Sequence, residues 1–223
     1  MDHKRLTLFA GHYGSGKTNI AVNYALALAQ EGKKVCIGDL DIVNPYFRTA
    51  DSAKELAAAG IELISPQYAN TNVDLPALPA ENYKLVQDKS IYGIMDIGGD
   101  DRGAYALGRY TPYIKEEGNY RMAFVANCYR PLTRTAEDAL EIMEEIEAAC
   151  NLKFTCIINN SNLGPLTDAQ TVLDSLDFIE KLSKISGLPV WLHTAKADVA
   201  AQLTDLPNVL PLQLQEKYFD LPV

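Results

Sequence analysis

Eight residues near the start of the chain, Gly11-His12-Tyr13-Gly14-Ser15-Gly16-Lys17-Thr18, have the spacing G-x-x-x-x-G-K-[ST]. Gly11, Gly14, Ser15 and Gly16 would let the backbone curl until its N–H groups face phosphate oxygens, and a helix opening at Lys17 adds a favourable dipole there. In that chemistry Lys17 reaches the β and γ phosphates and the Thr18 hydroxyl ligates Mg²⁺. Asp39-Leu40-Asp41 offers two carboxylates two residues apart. One could hold metal-bound water and the other could orient an attacking water, or they could simply cap a loop and face solvent. Ile94-Met95-Asp96-Ile97-Gly98-Gly99 adds a third acid at the end of an apolar run, where phosphate-binding-loop proteins place a magnesium carboxylate. Gly98 and Gly99 would let backbone approach a γ-phosphate. Asp100, Asp101 and Arg102 read equally as a switch segment or a hydrophilic turn. Asn159-Asn160 could read a nucleobase edge with side-chain amides, or form a turn.

These residues need strands to carry them to one edge and helices to lead away. Leu6 to Ala10 reads as a strand ending at Gly11, and Ile20, Ala21, Tyr24, Ala25, Leu28 and Ala29 recur at helical spacing until Gly32. Val35 to Gly38, Ile61 to Ile64, Ile91 to Met95, Met122 to Ala126, Phe154 to Ile158 and Leu188 to Leu192 read as further strands. Helices are expected from Ala136 to Cys150, and from Asp168 to Ile185 with Thr167 as N-cap and Gly187 as stop. A helix near Glu81 to Gln87 is also expected. The alternation predicts an α/β fold, a mostly parallel central sheet with helices on both faces, in a single phosphate-binding-loop nucleotide-binding domain over residues 1–223. Residues 65–90, interrupted by Pro66, Pro76 and Pro79, read as an irregular excursion, and 210–223 as an extended tail.

Composition narrows the classes. With 223 residues, 48% hydrophobic and 22% charged, the chain can bury a core. No run approaches the ~20 apolar residues of a membrane helix, and Met1 to Arg5 leads straight into a strand without a secretory segment, so a cytoplasmic location is expected. A net charge of −9 with scattered Lys and Arg argues against nucleic acid or an anionic membrane as partner. Cys36, Cys128, Cys150 and Cys156 form no C-x-x-C pair and read as reduced, mostly buried residues.

With the glycine-rich loop on the first strand, D-x-D ending the second, Asp-x-Gly-Gly later and Asn after a following strand, the sequence resembles the MinD/ParA/CobQ/CobB-like branch of P-loop proteins, within the SIMIBI class. The resemblance extends to about Thr204. It implies an Mg²⁺-dependent ATPase with Lys17 and Thr18 on phosphate and metal, Asp41 as the water-orienting switch carboxylate, Asp39 and Asp96 around the metal, Gly99 sensing the γ-phosphate and Asn159 facing adenine. Asn159-Asn160-Ser161-Asn162 is not the [NT]-K-x-D pattern that reads guanine, which favours ATP. Where that family commonly has a lysine crossing a dimer interface, this chain has His12, so any homodimer is expected to depend little on ATP.

Three functions remain open at this point: an ATPase switch acting on an unknown partner, a small-molecule kinase or ligase similar to the dethiobiotin synthetase and cobyrinate amidase groups, and a non-hydrolysing nucleotide-binding module. The second would place an acceptor pocket beneath 65–90 with Arg48, Arg102 or Arg109 as anion clamps. With only His3, His12 and His193 and no C-x-C, a metal-insertion role finds no soft ligand set, and the tail from Gln213 to Val223 has no cationic amphipathic face for a membrane.

Overall fold

The computed structural model describes residues 3–41, 49–65, 79–99 and 101–214, with backbone alone at 50, 101 and 102. Among them, eight strands form one sheet: β1 (Leu6–Ala10), β2 (Val35–Leu40), β3 (Glu62–Ile64), β4 (Tyr92–Ile97), β5 (Tyr120–Ala126), β6 (Cys156–Asn159), β7 (Val190–Lys196) and β8 (Val209–Leu212). Their order is β3-β2-β4-β1-β5-β6-β7-β8, and every pairing is parallel. Parallel strands covered on both faces must be apolar on both, which is why β1 is buried at all five positions.

The period of two along each strand decides which layer a residue joins. Leu6, Leu8 and Ala10 enter one core cluster with Met95 and Ile97, and Phe9 enters the other with Ile37 and Ile94. The second layer is covered by α1 (Lys17–Gln30) and α2 (Ala53–Ala58), through Ile20, Tyr24, Leu28 and Leu56. The first is covered by α3 (Tyr83–Gln87), α4 (Asp101–Gly108), α5 (Thr111–Glu117), α6 (Ala136–Cys150) and α8 (Leu176–Ser186). A smaller cluster under β7 and β8 takes Val172 of α7 (Ala169–Leu173) and Val199 of α9 (Ala197–Ala200). From β1 the chain crosses to β2 on one side, and from β4 to β5 on the other. This divergence opens a crevice at the carboxyl ends of the central strands, where open α/β sheets bind ligands.

Several sequence expectations are corrected. The helix expected from Asp168 to Ile185 is two helices, with Asp168 rather than Thr167 as the cap, since its carboxylate accepts from Thr171 N at 2.7 Å. The break falls at Ser175, whose hydroxyl donates to the Val172 carbonyl at 2.6 Å. Gly187 does stop the second helix, in the left-handed region with φ 72°. Residues 210–212, expected as tail, form with Val209 an edge strand on β7; the tail beyond 214, and residues 66–78 of the excursion, lie outside the described residues. All four cysteines are free, and burial pushes the Cys36 thiol up to about 12. Among the described residues no helix is long and apolar enough to cross a membrane.

Candidate functional site

Strand alternation assembles the acids. Asp39 is the last residue but one of β2 and Asp96 the last but one of β4, and the two are register partners across the adjacent strands. Each lies two residues beyond an apolar residue of the α1 layer, Ile37 and Ile94, so both carboxylates belong to the face on which α1 begins. Asp39 and Asp96 are each only 1% exposed. Asp41 follows at the same edge, and its backbone N–H donates to Asp39 Oδ1 at 2.9 Å.

The glycine-rich loop joins β1 to α1. Gly11 leaves β1 against the Val125 carbonyl of β5. Gly16 caps α1 at φ 92°, a left-handed conformation that disfavours any side chain, and a Cβ there would also lie 2.2 Å from Asn160 Nδ2. Lys17 is 6% exposed, and its ammonium donates to the His12 carbonyl at 3.2 Å, back across the loop. Gly99 closes the other side: a Cβ on it would stand 2.7 Å from Tyr13 N and 2.8 Å from Lys17 Nζ, so only glycine permits this approach. Ser15 Oγ is buried without a hydrogen-bond partner among the described residues.

Asp96 is the electrostatic centre. Burial pushes its carboxyl up to about 6; the Thr18 hydroxyl and the Lys17 ammonium pull it down, Asp41 pushes it up again, and the Thr49 hydroxyl, donating to Oδ2 at 3.0 Å, pulls it down. Its Oδ1 has no hydrogen-bond partner among the described residues. An unpartnered buried carboxylate oxygen beside a threonine hydroxyl suits a hydrated Mg²⁺, which uses one or two carboxylates together with phosphate oxygens. No cluster of three or more His, Cys, Asp or Glu among the described residues forms a cage of protein ligands alone. The residues present therefore fit a magnesium ion delivered with phosphate.

The asparagine pair departs from expectation. Asn159 and Asn160 face opposite sides because they are consecutive at the end of β6. Asn159 is 1% exposed, and its amide donates to Ser175 Oγ at 2.9 Å and faces His193 Nδ1 at 3.3 Å, while its oxygen accepts from Ser161 N. That placement does not present Asn159 to a nucleobase. Asn160 donates to the Ser15 carbonyl at 2.6 Å and accepts from Thr194 Oγ1 at 2.7 Å, tying β6 and β7 to the loop. Of the proposed anion clamps, Arg48 and the side chain of Arg102 lie outside the described residues, as does Asp100. Arg109 is exposed beyond the C-terminal end of α4, where the chain is already returning to the amino edge. Sequence reasoning missed Arg130, whose guanidinium lies over Gly14 from the loop after β5. No local sequence pattern marks it, because its place follows from β5 lying beside β1.

No family model and no curated protein matches the chain. Solved structures do. FtsY of Thermotoga maritima, a cell division protein, superposes with a TM-score of 0.60 at 15% identity, over 85% of this chain and 61% of that one. FtsY of Mycoplasma mycoides gives 0.57 at 13%, over 86% and 60%. The signal recognition particle receptor FtsY of Elizabethkingia anophelis, in complex with GDP, gives 0.53 at 16%, over 87% and 58%. This chain thus spans about three fifths of the length of those chains. At such identities the likeness is one of fold alone, an α/β architecture around a parallel central sheet.

Proposed function

We propose that the chain binds Mg²⁺–ATP and hydrolyses it, and that the resulting rearrangement changes its affinity for a partner. The observation that carries this reading is the convergence of Lys17, Asp39, Asp41 and Asp96 at the carboxyl ends of three adjacent strands, with Gly99 held against the loop. Backbone N–H groups from Gly14 to Thr18 would cradle the β-phosphate, and Lys17 would exchange the His12 carbonyl for phosphate oxygens. Magnesium, when bound, neutralises charge on the phosphate oxygens, and Thr18, Asp39 and Asp96 are the residues placed to hold it. Asp41 accepts a hydrogen bond from the attacking water and orients it in line with the leaving ADP. Gly98 and Gly99, with Gly98 packed against Asp41, form the joint that moves when phosphate departs.

The ATP preference rests on the absence of a carboxylate from Cys156 to Thr167, since guanine's N1 and N2 donors require an acceptor. The GDP seen in the Elizabethkingia anophelis protein makes the comparison with GTP a necessary arm. Calorimetry should find no Mg²⁺–nucleotide binding in Lys17→Ala, and Asp41→Asn should bind normally while turnover falls about 10²-fold or more. ADP release without any added acceptor supports the switch. Wild-type turnover in Asp41→Asn refutes the assignment of the water-orienting carboxylate, and consumption of ATP only with a metabolite extract favours phosphoryl transfer.

A further inference from the structure

Because β5 lies beside β1, the residues after Ala126 leave the sheet next to the glycine-rich loop. Asn127 fixes their course. It is fully buried, its Oδ1 accepts from Tyr129 N at 3.0 Å and Asn162 N at 3.3 Å, and its Nδ2 donates to the Asn162 carbonyl at 3.4 Å. Its own carbonyl accepts from Arg130 N at 3.2 Å and from Thr133 Oγ1 at 2.7 Å. Thr133 N in turn donates to the Arg130 carbonyl at 3.1 Å. The backbone on both sides of Arg130 is thereby held, and the side chain is carried across the loop. From the place a Cβ would take on Gly14, Arg130 Cζ and Nε are each 3.5 Å away.

The charge around this contact is lopsided. Burial above all, with Lys17 and Arg130 nearby, pushes the His12 imidazole below its ordinary value, against the pull of the Tyr13 carbonyl. The charged imidazole is thereby disfavoured on this loop, between Lys17 and Arg130. Arg130 is exposed, and no described carboxylate forms an ion pair with it. The guanidinium over Gly14 thus lies on the same glycine-rich loop whose Lys17 ammonium donates to the His12 carbonyl.

We propose that Arg130 is a phosphate-contacting residue supplied within the same chain: it swings from Gly14 to donate to a terminal oxygen of a bound nucleoside triphosphate, and so makes the site prefer triphosphate to diphosphate. The planar fork suits two oxygens of one phosphate group, which an ammonium cannot match. This rests on the nucleotide-binding reading above. The test measures the affinity of a non-hydrolysable triphosphate analogue and of the diphosphate for wild type, Arg130→Ala, Arg130→Gln, Arg130→Lys and Lys17→Ala, with thermal melts of each. Arg130→Ala should lose about 10- to 100-fold for the triphosphate, the range of one charge-assisted hydrogen bond, and less than about threefold for the diphosphate, with an unchanged melt. Arg130→Gln, which keeps the packing over Gly14 without the charge, should behave like Ala, and Arg130→Lys should recover part of the loss. Equal losses for both nucleotides, rescue by Gln, or no loss at all would overturn the proposal. If Lys17→Ala binds both nucleotides as wild type does, the nucleotide reading itself fails, whatever Arg130 does.

Discussion

Asp96→Asn should make the protein without ligand more stable, although on the proposed function it removes a magnesium-holding group. In the wild type this carboxylate is 1% exposed, and its pKa is raised from 3.8 to about 6, chiefly by burial. Because the folded value lies above the unfolded one, folding favours the protonated form, and the penalty is present above pH 6 and fades as pH falls toward 3.8. Linkage gives about 3 kcal/mol at pH 7.5, about 2 at pH 5.5 and about 1 at pH 4.5. Asparagine has nearly the same shape, still accepts from Thr49 Oγ1, and carries no charge to desolvate. For a chain of this size about 3 kcal/mol corresponds to roughly 6–12 °C in Tm, an upper bound because the amide's N–H groups must themselves find partners beside Asp41. The assay is thermal unfolding followed through Trp191, the single tryptophan, without nucleotide or metal, at pH 7.5, 5.5 and 4.5. A variant that melts below wild type at pH 7.5, or an advantage that does not shrink with pH, would refute the reasoning. Binding of Mg²⁺–ATP should move the other way, weakened in the same variant.

Two further perturbations probe the frame and the loop. Arg5, 8% exposed, donates to the carbonyls of Leu85, Asp88 and Ile91 and pairs with Glu117 of α5, so Arg5→Ala should cost about 3 kcal/mol in a denaturant titration; a cost under about 1 would show the pair to be ornamental. Burial raises the Glu117 carboxyl, but Arg5 and Lys89 more than offset it and hold the group below 4.5, so this stabilisation is present above that pH and is lost as pH falls through the folded value. Asn160→Ala, which frees the Ser15 carbonyl, should weaken ATP and GTP by the same factor, about 10-fold, in a competition titration; a loss confined to ATP would return this residue to base recognition.

What the sequence revealed depended on the range over which its signals act. The glycine-rich loop, the strand before it and the acids at Asp39 and Asp96 are local patterns, and the structure carries them to the carboxyl ends of β1, β2 and β4, with β4 rather than β2 beside β1. Residues 209–212 were hidden because Pro211 argues against a strand; an edge position with β7 on one side only tolerates it. The segment from Asp101 to Glu117 gave no helical reading because Gly103, Gly108 and Pro112 interrupt its period. Yet Gly103 is there to let α4 meet the strand end, since a Cβ on it would stand 2.6 Å from Gly98. Adjacency in sequence pairs Asn159 with Asn160, whereas a pleated strand sends neighbours to opposite faces. Arg130 could not be placed without knowing that β5 neighbours β1, which is a property of the sheet order.

The clamp from Asn160 to Ser15 also sets a timetable. The two residues are 145 apart in the chain, so at about 5–20 residues per second a ribosome finishes the phosphate loop roughly 7–30 s before it makes the side chain that holds it. Strands β4 and β5, which flank β1, also arrive only after most of that interval or a large part of it. On the function proposed above, the early nascent chain offers a nucleotide no completed site. A nucleotide bound as proposed would be a late selector, stabilising by mass action those molecules in which the later strands have already closed on the loop.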